Sequence, residues 1–296
     1  MSWVELAILE DLMRSRPRPA NPTPEFLRQR FRTMATLFPL AADATLEPVT
    51  ADGVKAEFLW APGADKGRTI FYLHGGGYVI GSPETHRSLA YDLSKAAGAR
   101  VLSVDYGLAP ERPFPAAVED SLKAFGWLMA HGGRPERTVI AGDSAGGGLT
   151  VATLVALRDR RQPQAAAGVC FSPWTDLEGL GESIQSRAAV DPMVALEGLT
   201  WMAGLYLAGA DAKTPLAAPL YGDLKGLPPL LIQVGDSEIL RDDAVRIASR
   251  AEQAGVDVTL EVWPDMIHIW QFFAPMLSEG REAIERAGHF ISAKAA

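Results

Sequence analysis

The stretch Ala141-Gly142-Asp143-Ser144-Ala145-Gly146-Gly147-Gly148 carries the clearest chemistry in the chain. Ser144 is the centre of a G-x-S-x-G pentapeptide running from Gly142 to Gly146. A serine becomes a nucleophile when a sharp turn lifts its hydroxyl clear of its neighbours and a base takes its proton. Residues packed against such a turn must be small, which suits Gly142 and Gly146. Before the turn, Arg137 to Ala141 reads as a short buried strand. After it, Leu149 to Arg160 reads as a helix, with Leu149, Thr153, Leu154 and Leu157 at helical spacing. The start of that helix favours negative charge beside the hydroxyl. A lone G-x-S-x-G also occurs in plain glycine-rich turns. Here the flanks form strand, sharp turn and helix, the nucleophile elbow.

A second motif points the same way. Thr69-Ile70-Phe71-Tyr72-Leu73 is a β-rich apolar run that ends in His74-Gly75-Gly76-Gly77-Tyr78. Its bland reading is a flexible loop after a strand. Its chemical reading is an oxyanion-hole loop for acyl transfer. Tetrahedral intermediates carry negative charge on the former carbonyl oxygen, and backbone N–H groups aimed there stabilise it. The expected donors are the amides of Gly76, Gly77 and Ala145. His74 is expected to order the loop and do no chemistry itself.

The nucleophile needs a base, and the base needs an orienting acid. The five histidines are His74, His86, His131, His268 and His289. In elbow enzymes of this kind the order is Ser, acid, His, so only His268 and His289 are eligible. His289 lies on the apparent final helix. His268 follows the strand Val258 to Val262 directly, in the position from which a loop can deliver a base to the sheet edge. The acid should follow another strand. Pro229 to Gly235 is that strand, and both Asp236 and Glu238 follow it. Pattern alone does not choose between them. Either could instead cap the helix expected near Arg241, as could Asp242 or Asp243.

The chain resembles the bacterial hormone-sensitive-lipase-like (family IV) carboxylesterases, which have the α/β-hydrolase fold. The resemblance rests on His74-Gly75-Gly76-Gly77, Gly142-Asp143-Ser144-Ala145-Gly146, Asp105-Tyr106-Gly107-Leu108-Ala109-Pro110-Glu111, Phe114-Pro115-Ala116, Ser172-Pro173-Trp174 and Asp191-Pro192-Met193. It runs from about Thr69 to His268. Many members have Asp-Pro-Leu-Arg-Asp around the acid. Aligning Leu240-Arg241-Asp242 with that ending puts Glu238 on the family's catalytic position, so the resemblance favours Glu238, with Asp236 second. The family usually has Arg where Gly107 stands, which puts one structural ion pair in question. The resemblance implies a catalytic set of Ser144, Glu238 and His268. It implies hydrolysis of short- to medium-chain carboxylic esters through an acyl-enzyme, with no cofactor and no metal. It also implies a homodimer joined through the strand Val258 to Val262.

Composition is consistent with this reading. The chain has 296 residues, 48% of them hydrophobic and 22% charged, enough for one large α/β domain. A formal net charge of −8 argues against nucleic acid or an anionic membrane as partner. The lone Cys170 rules out an intramolecular disulfide and suits the cytoplasm. No apolar run is long enough to span a membrane, and the first residues do not read as a signal peptide.

The elements that must carry these motifs alternate. Further strands are expected at Arg100 to Val104 and Gly168 to Ser172, and a further helix at Pro115 to His131. This rhythm predicts a mostly parallel sheet with helices on both faces. Residues 1–45 supply an amphipathic helix at Trp3 to Met13, a hinge-like linker at Arg16 to Pro22, and a second helix from Pro24 capped by Thr23. Residues 46–175 and 220–296 form the core. Residues 176–219 break the rhythm as an insertion, with a helix near Ala195 to Leu207. The family resemblance makes this insertion and the N-terminal helices a cap over Ser144. Candidate pocket residues are Tyr78, Tyr106, Met193, Trp201, Met202 and Tyr206. Ala293 to Ala296 is expected to fray. An arylformamidase-type amidase and a non-catalytic binding module with this fold are the alternatives. The presence of His268 argues against the second.

Overall fold

The computed structural model describes residues 3–15 and 22–296. Among them, eight strands form one sheet: β1 (Thr45–Ala51), β2 (Val54–Trp60), β3 (Asp65–Leu73), β4 (Ala99–Val104), β5 (Thr138–Asp143), β6 (Ala167–Phe171), β7 (Leu230–Gly235) and β8 (Val258–Trp263). Their order across the sheet is β1-β2-β4-β3-β5-β6-β7-β8. Strands β3 to β8 run parallel to one another, and β2 is antiparallel to both β1 and β4. The parallel strands are apolar at successive positions because both faces are covered. In β3, Phe71 and Leu73 face one core while Ile70 and Tyr72 face the other.

The helices are α1 (Trp3–Arg14), α2 (Pro24–Ala35), α3 (Arg87–Ala97), α4 (Ala116–Ala130), α5 (Ala145–Asp159), α6 (Ser183–Ser186), α7 (Leu196–Leu207), α8 (Arg241–Gln253) and α9 (Ser278–Lys294). The first core packs α4, α5 and α8 on one face of the sheet, and the second packs α3 and α9 on the other. No helix among the described residues is long and apolar enough to cross a membrane.

Several sequence expectations need correction. The hairpin β1–β2 and helix α3 were not read from the pattern. The hairpin turns at Asp52-Gly53, both in the left-handed region, a pairing that marks tight hairpins. Strand β6 stops at Phe171, and Ser172 lies beyond it with a left-handed φ of 44°. No carboxylate caps α8: its N-cap is Leu240, without a side-chain bond. The insertion contains a second short helix, α6, before α7. The end of the chain does not fray, since α9 runs to Lys294, Ala295 is fully buried, and Arg68 Nε donates to its carbonyl at 2.9 Å. Of the expected linker, residues 16–21 lie outside the described residues.

The N-terminal helices are tied to the loops around the site. Thr23 Oγ1 caps α2 by accepting from Phe26 N at 3.2 Å. Arg28 on α2 donates to the carbonyls of Val79 and Ala109, each at 2.9 Å, and pairs with Glu111. Arg14, at the end of α1, donates to Val190 O in the insertion at 2.7 Å.

An ion pair nonetheless lies beside Gly107. Arg112 reaches back over Gly107 and grips Asp120 of α4 with both terminal nitrogens, the Nη2–Oδ1 bond being 2.9 Å. Gly107 N donates to the same carboxylate at 2.9 Å. Asp120 is buried, so removal of the guanidinium leaves its charge poorly compensated. Arg112→Ala is expected to lower stability by about 1–3 kcal/mol, read as an earlier urea midpoint. An unchanged midpoint would show that Gly107 N suffices.

Candidate active site

Ser144 lies between the end of β5 and the start of α5, with φ 53° and ψ −120°. That conformation is strained for a residue with a side chain. Hydrogen bonds hold it in place. Ser144 N donates to Phe171 O at 2.8 Å, and Ser144 O accepts from Gly147, Gly148 and Trp174 amides at 2.9–3.1 Å. The space around the turn admits no side chain. A Cβ on Gly142 would lie 2.3 Å from Gly146 O, and one on Gly146 only 1.9 Å from Leu73 O.

His268 follows β8 and is buried. Its Nε2 lies 3.0 Å from Ser144 Oγ, and its Nδ1 lies 2.5 Å from Glu238 Oε2. A carboxylate accepts, so Nδ1 carries the proton and Nε2 presents its lone pair to the serine. Burial pulls the His268 pKa down. The negative charge of Glu238 and its hydrogen bond, with the charges of Asp191 and Asp143, outweigh that and raise it above the usual 6.5. Glu238 is fully buried. Its other oxygen, Oε1, accepts from Ser172 Oγ and from Gly235 N, both at 2.7 Å. Ser172 Oγ also accepts from Ile269 N at 3.1 Å. One hydroxyl therefore braces Glu238 and the backbone beside His268.

Asp236 is not brought to this chain of bonds. It sits at the rim, paired with Arg187 at 3.1 Å and Arg241 at 2.9 Å. His289 stays on α9.

The His74–Tyr78 loop is held from below. Asp143 Oδ1 accepts from Gly75 N at 2.9 Å and from Tyr72 Oη at 2.6 Å. Tyr106 Oη donates to His74 O at 2.6 Å, and its ring stacks on the His74 imidazole at 4.2 Å. His74 Nδ1 lies 2.8 Å from Gly75 O, which can only accept. Burial, followed by the neighbouring His86, pushes the His74 pKa down to about 3. His74 is thus a neutral strut. Gly76 has φ 118° and Gly77 has φ 61°. Among the described residues, the amides of Gly76, Gly77 and Ala145 donate to no protein acceptor. Three free donors of this kind can receive a negatively charged oxygen.

The pocket candidates divide. Met202 Sδ lies where a Cβ on Gly77 would be, and Met202, Trp201 and Met193 are half-buried. Tyr78 stacks on Tyr206 at 3.8 Å and both rings are buried. Tyr106 is a correction: its hydroxyl and ring face are used beneath the loop, not in a substrate wall. Ser172, Asp143 and Tyr72 had no assigned role in the sequence. The available signal for Ser172 was its place just beyond a strand's C-terminal end, where parallel sheets gather functional groups.

A strained Ser, a tautomer-fixed His, a buried Glu and three free amides on this sheet define a hydrolase of the α/β class. Comparison with known proteins agrees. A family model described as alpha/beta hydrolase fold matches residues 70–272. An acetyl-hydrolase from Streptomyces hygroscopicus is 51% identical over 243 residues, 82% of this chain and 81% of that one. An esterase from Acinetobacter venetianus is 33% identical over 277 residues, 93% and 91% of the two chains. The crystal structure of an esterase from the bacterial hormone-sensitive lipase family superposes with a TM-score of 0.98 at 50% identity, covering 100% of both chains. The chain belongs to the alpha/beta hydrolase fold family, among the hormone-sensitive-lipase-like esterases.

A methyl group on Gly76 would meet Ile80 O at 2.2 Å and sit on a backbone that disfavours side chains. Gly76→Ala is expected to cut kcat for p-nitrophenyl acetate by about 10²-fold or more with the fold intact by circular dichroism. Wild-type turnover in that variant would remove the Gly76 amide from the reaction.

Proposed function

We propose that this protein is a serine carboxylesterase acting on short- to medium-chain carboxylic esters, with Ser144 as nucleophile, His268 as general base and acid, and Glu238 as the orienting acid. The observation that carries this is the continuous bond path from Ser144 Oγ through His268 to Glu238, opposite three unengaged amides.

Ser144 Oγ attacks the ester carbonyl while His268 Nε2 takes its proton. Glu238 holds the imidazole and stabilises its charged form. The amides of Gly76, Gly77 and Ala145 receive the oxyanion. As the intermediate collapses, His268 protonates the leaving alcohol, and the acyl group stays on Ser144. Water then repeats the sequence on the acyl-enzyme, with His268 again taking and returning the proton. No step calls for a cofactor.

The N-terminal helices and residues 176–219 act as the cap, a role supported by the Arg28 and Arg14 bonds that join them to the loops around Ser144. Met193, Trp201 and Met202 line the acyl and alcohol space, backed by the stacked rings of Tyr78 and Tyr206. A preference for short acyl groups accords with the acetyl-hydrolase relative. The buried Cys170, whose thiol burial pushes up to about 12, is inert and suits a cytoplasmic setting. Cell fractionation that found the protein elsewhere would reject that setting.

Strand β8 is an edge strand with Thr259 and Val262 exposed, and such an edge invites pairing. Two copies joined through β8 make the expected homodimer. Light scattering over a wide concentration range should give twice the chain mass, and a monomer throughout would reject the pairing.

The decisive assay is hydrolysis of p-nitrophenyl esters of graded length beside a formyl-amide substrate. Short esters should turn over fastest. Ser144→Ala should lose about 10⁴-fold or more, Glu238→Ala about 10³- to 10⁴-fold, and Asp236→Ala should stay near wild type. The base must be neutral to act, and its raised pKa moves the acid limb of kcat/KM above the usual histidine value of 6.5. Preference for the formyl amide would reassign the enzyme as an amidase. No turnover by folded wild type would make it a binding protein.

A further inference from the structure

Asp191 lies in the insertion between α6 and α7, and only 2% of it is exposed. Its Oδ1 accepts from Met193 N and Val194 N, both at 2.8 Å. These bonds close a local turn. Its Oδ2 does something different. It accepts at 2.9 Å from Ile239 N, 48 residues further along the chain. Ile239 directly follows Glu238. All these bonds are accepted from N–H groups, which suits an ionised carboxylate. A buried carboxylate is costly unless its surroundings offset the lost water. Three backbone donors offset part of it, and a nearby imidazolium offsets more whenever one forms.

The charges around the base come from three elements. Glu238, on the β7–α8 connection, bonds His268 directly, Asp191 in the insertion is one bond from the residue after Glu238, and the charges of Asp191 and of Asp143 at the elbow both favour the imidazolium. Burial raises the Asp191 pKa above the usual carboxylate value, against the pull of the His268 charge and of the three backbone donors, which favour the ionised form. The neighbouring cations Arg187 and Arg241 are engaged by Asp236 at the rim.

We infer that Asp191 is a positioning residue for proton transfer: it ties the insertion to the acid loop through Ile239 N and sets a second negative charge beside the His268 imidazolium. The inference rests on the carboxylesterase reading. It joins two functions in one side chain. The same carboxylate that closes the turn at Met193 and Val194 also holds the backbone beside Glu238. An insertion lifted away from the core would loosen the acid loop and leave the imidazolium with less compensation. Full basicity of His268 therefore depends on a seated insertion.

The test is the pH profile of kcat/KM on p-nitrophenyl acetate for wild type, Asp191→Asn and Asp191→Glu, each verified as folded by circular dichroism. Removing a negative charge lowers the pKa of a neighbouring imidazolium. The acid limb of Asp191→Asn should therefore move to lower pH, by roughly half a unit or more. Its plateau kcat should fall about tenfold, with KM little changed. Asp191→Glu keeps the charge and should keep the limb at the wild-type position. A limb at the wild-type pH in folded Asp191→Asn, or a loss confined to KM, overturns the inference. So does a limb in Asp191→Glu that falls with the neutral variant. If Asp191→Asn does not fold, Asp191→Ser is neutral, retains an acceptor for one N–H, and is read in the same way. Inactive wild type would sink the esterase reading itself, whereas active wild type with an unmoved limb in the neutral variant sinks only the role of Asp191.

Discussion

The structure depends on one close approach, where the backbone at Gly146 passes so near Leu73 that a methyl group there would sit 1.9 Å from its carbonyl. That contact brings the elbow against the end of β3 and therefore against the His74–Tyr78 loop that continues it. Ser144 takes a left-handed conformation because strand, helix and the Phe171–Trp174 segment all bond its backbone. Strain of this kind persists only where the surroundings over-determine it. The nucleophile and the free amides are therefore placed by a single packing event.

The parallel sheet explains why the rest of the site converges. Ser144, Glu238 and His268 follow β5, β7 and β8 and so emerge at the same edge. Ser172, following β6 between β5 and β7, lies within reach of both Glu238 and the residue after His268. The spatial order of the strands thus places a brace beside Glu238 and His268. Burial then sets the electrostatics. Burial alone would make His268 a weak base, and the facing carboxylates reverse that. His74 has less compensation and stays neutral. Two histidines near one loop are assigned opposite tasks by what surrounds them.

The ion pair on Asp120 shows how a buried charge joins two segments of the framework. Arg112 brings its guanidinium to the carboxylate while its stem packs over Gly107, where a side chain would have no room. Gly107 N donates to the same carboxylate. Asp120 thereby ties α4 to the segment that carries Tyr106.

Much of the site was legible in sequence because its parts are local. G-x-S-x-G between a strand and a helix, glycines after an apolar run, and a histidine after the last strand each describe one turn of chain. The alternation of apolar strands with helices likewise announces a covered parallel sheet. The acid was not local in this sense. Asp236 and Glu238 are two residues apart after the same strand, and their own stretch of chain supplies no physical reason to choose. Family resemblance favoured Glu238, but the reason lies in space: Ser172 and Gly235 N hold Glu238 under His268, while Arg187 and Arg241 draw Asp236 to the rim. The same limit explains Tyr106, read as a pocket wall but used under the loop, and the hairpin β1–β2, whose antiparallel pairing lies outside the βα rhythm. Sequence by itself determined which residues could do the chemistry and which elements carry them, because those depend on spacing along the chain. Tertiary structure decided which carboxylate meets His268, which donors remain free and how charged His268 becomes, because those depend on distances and burial between segments far apart in sequence.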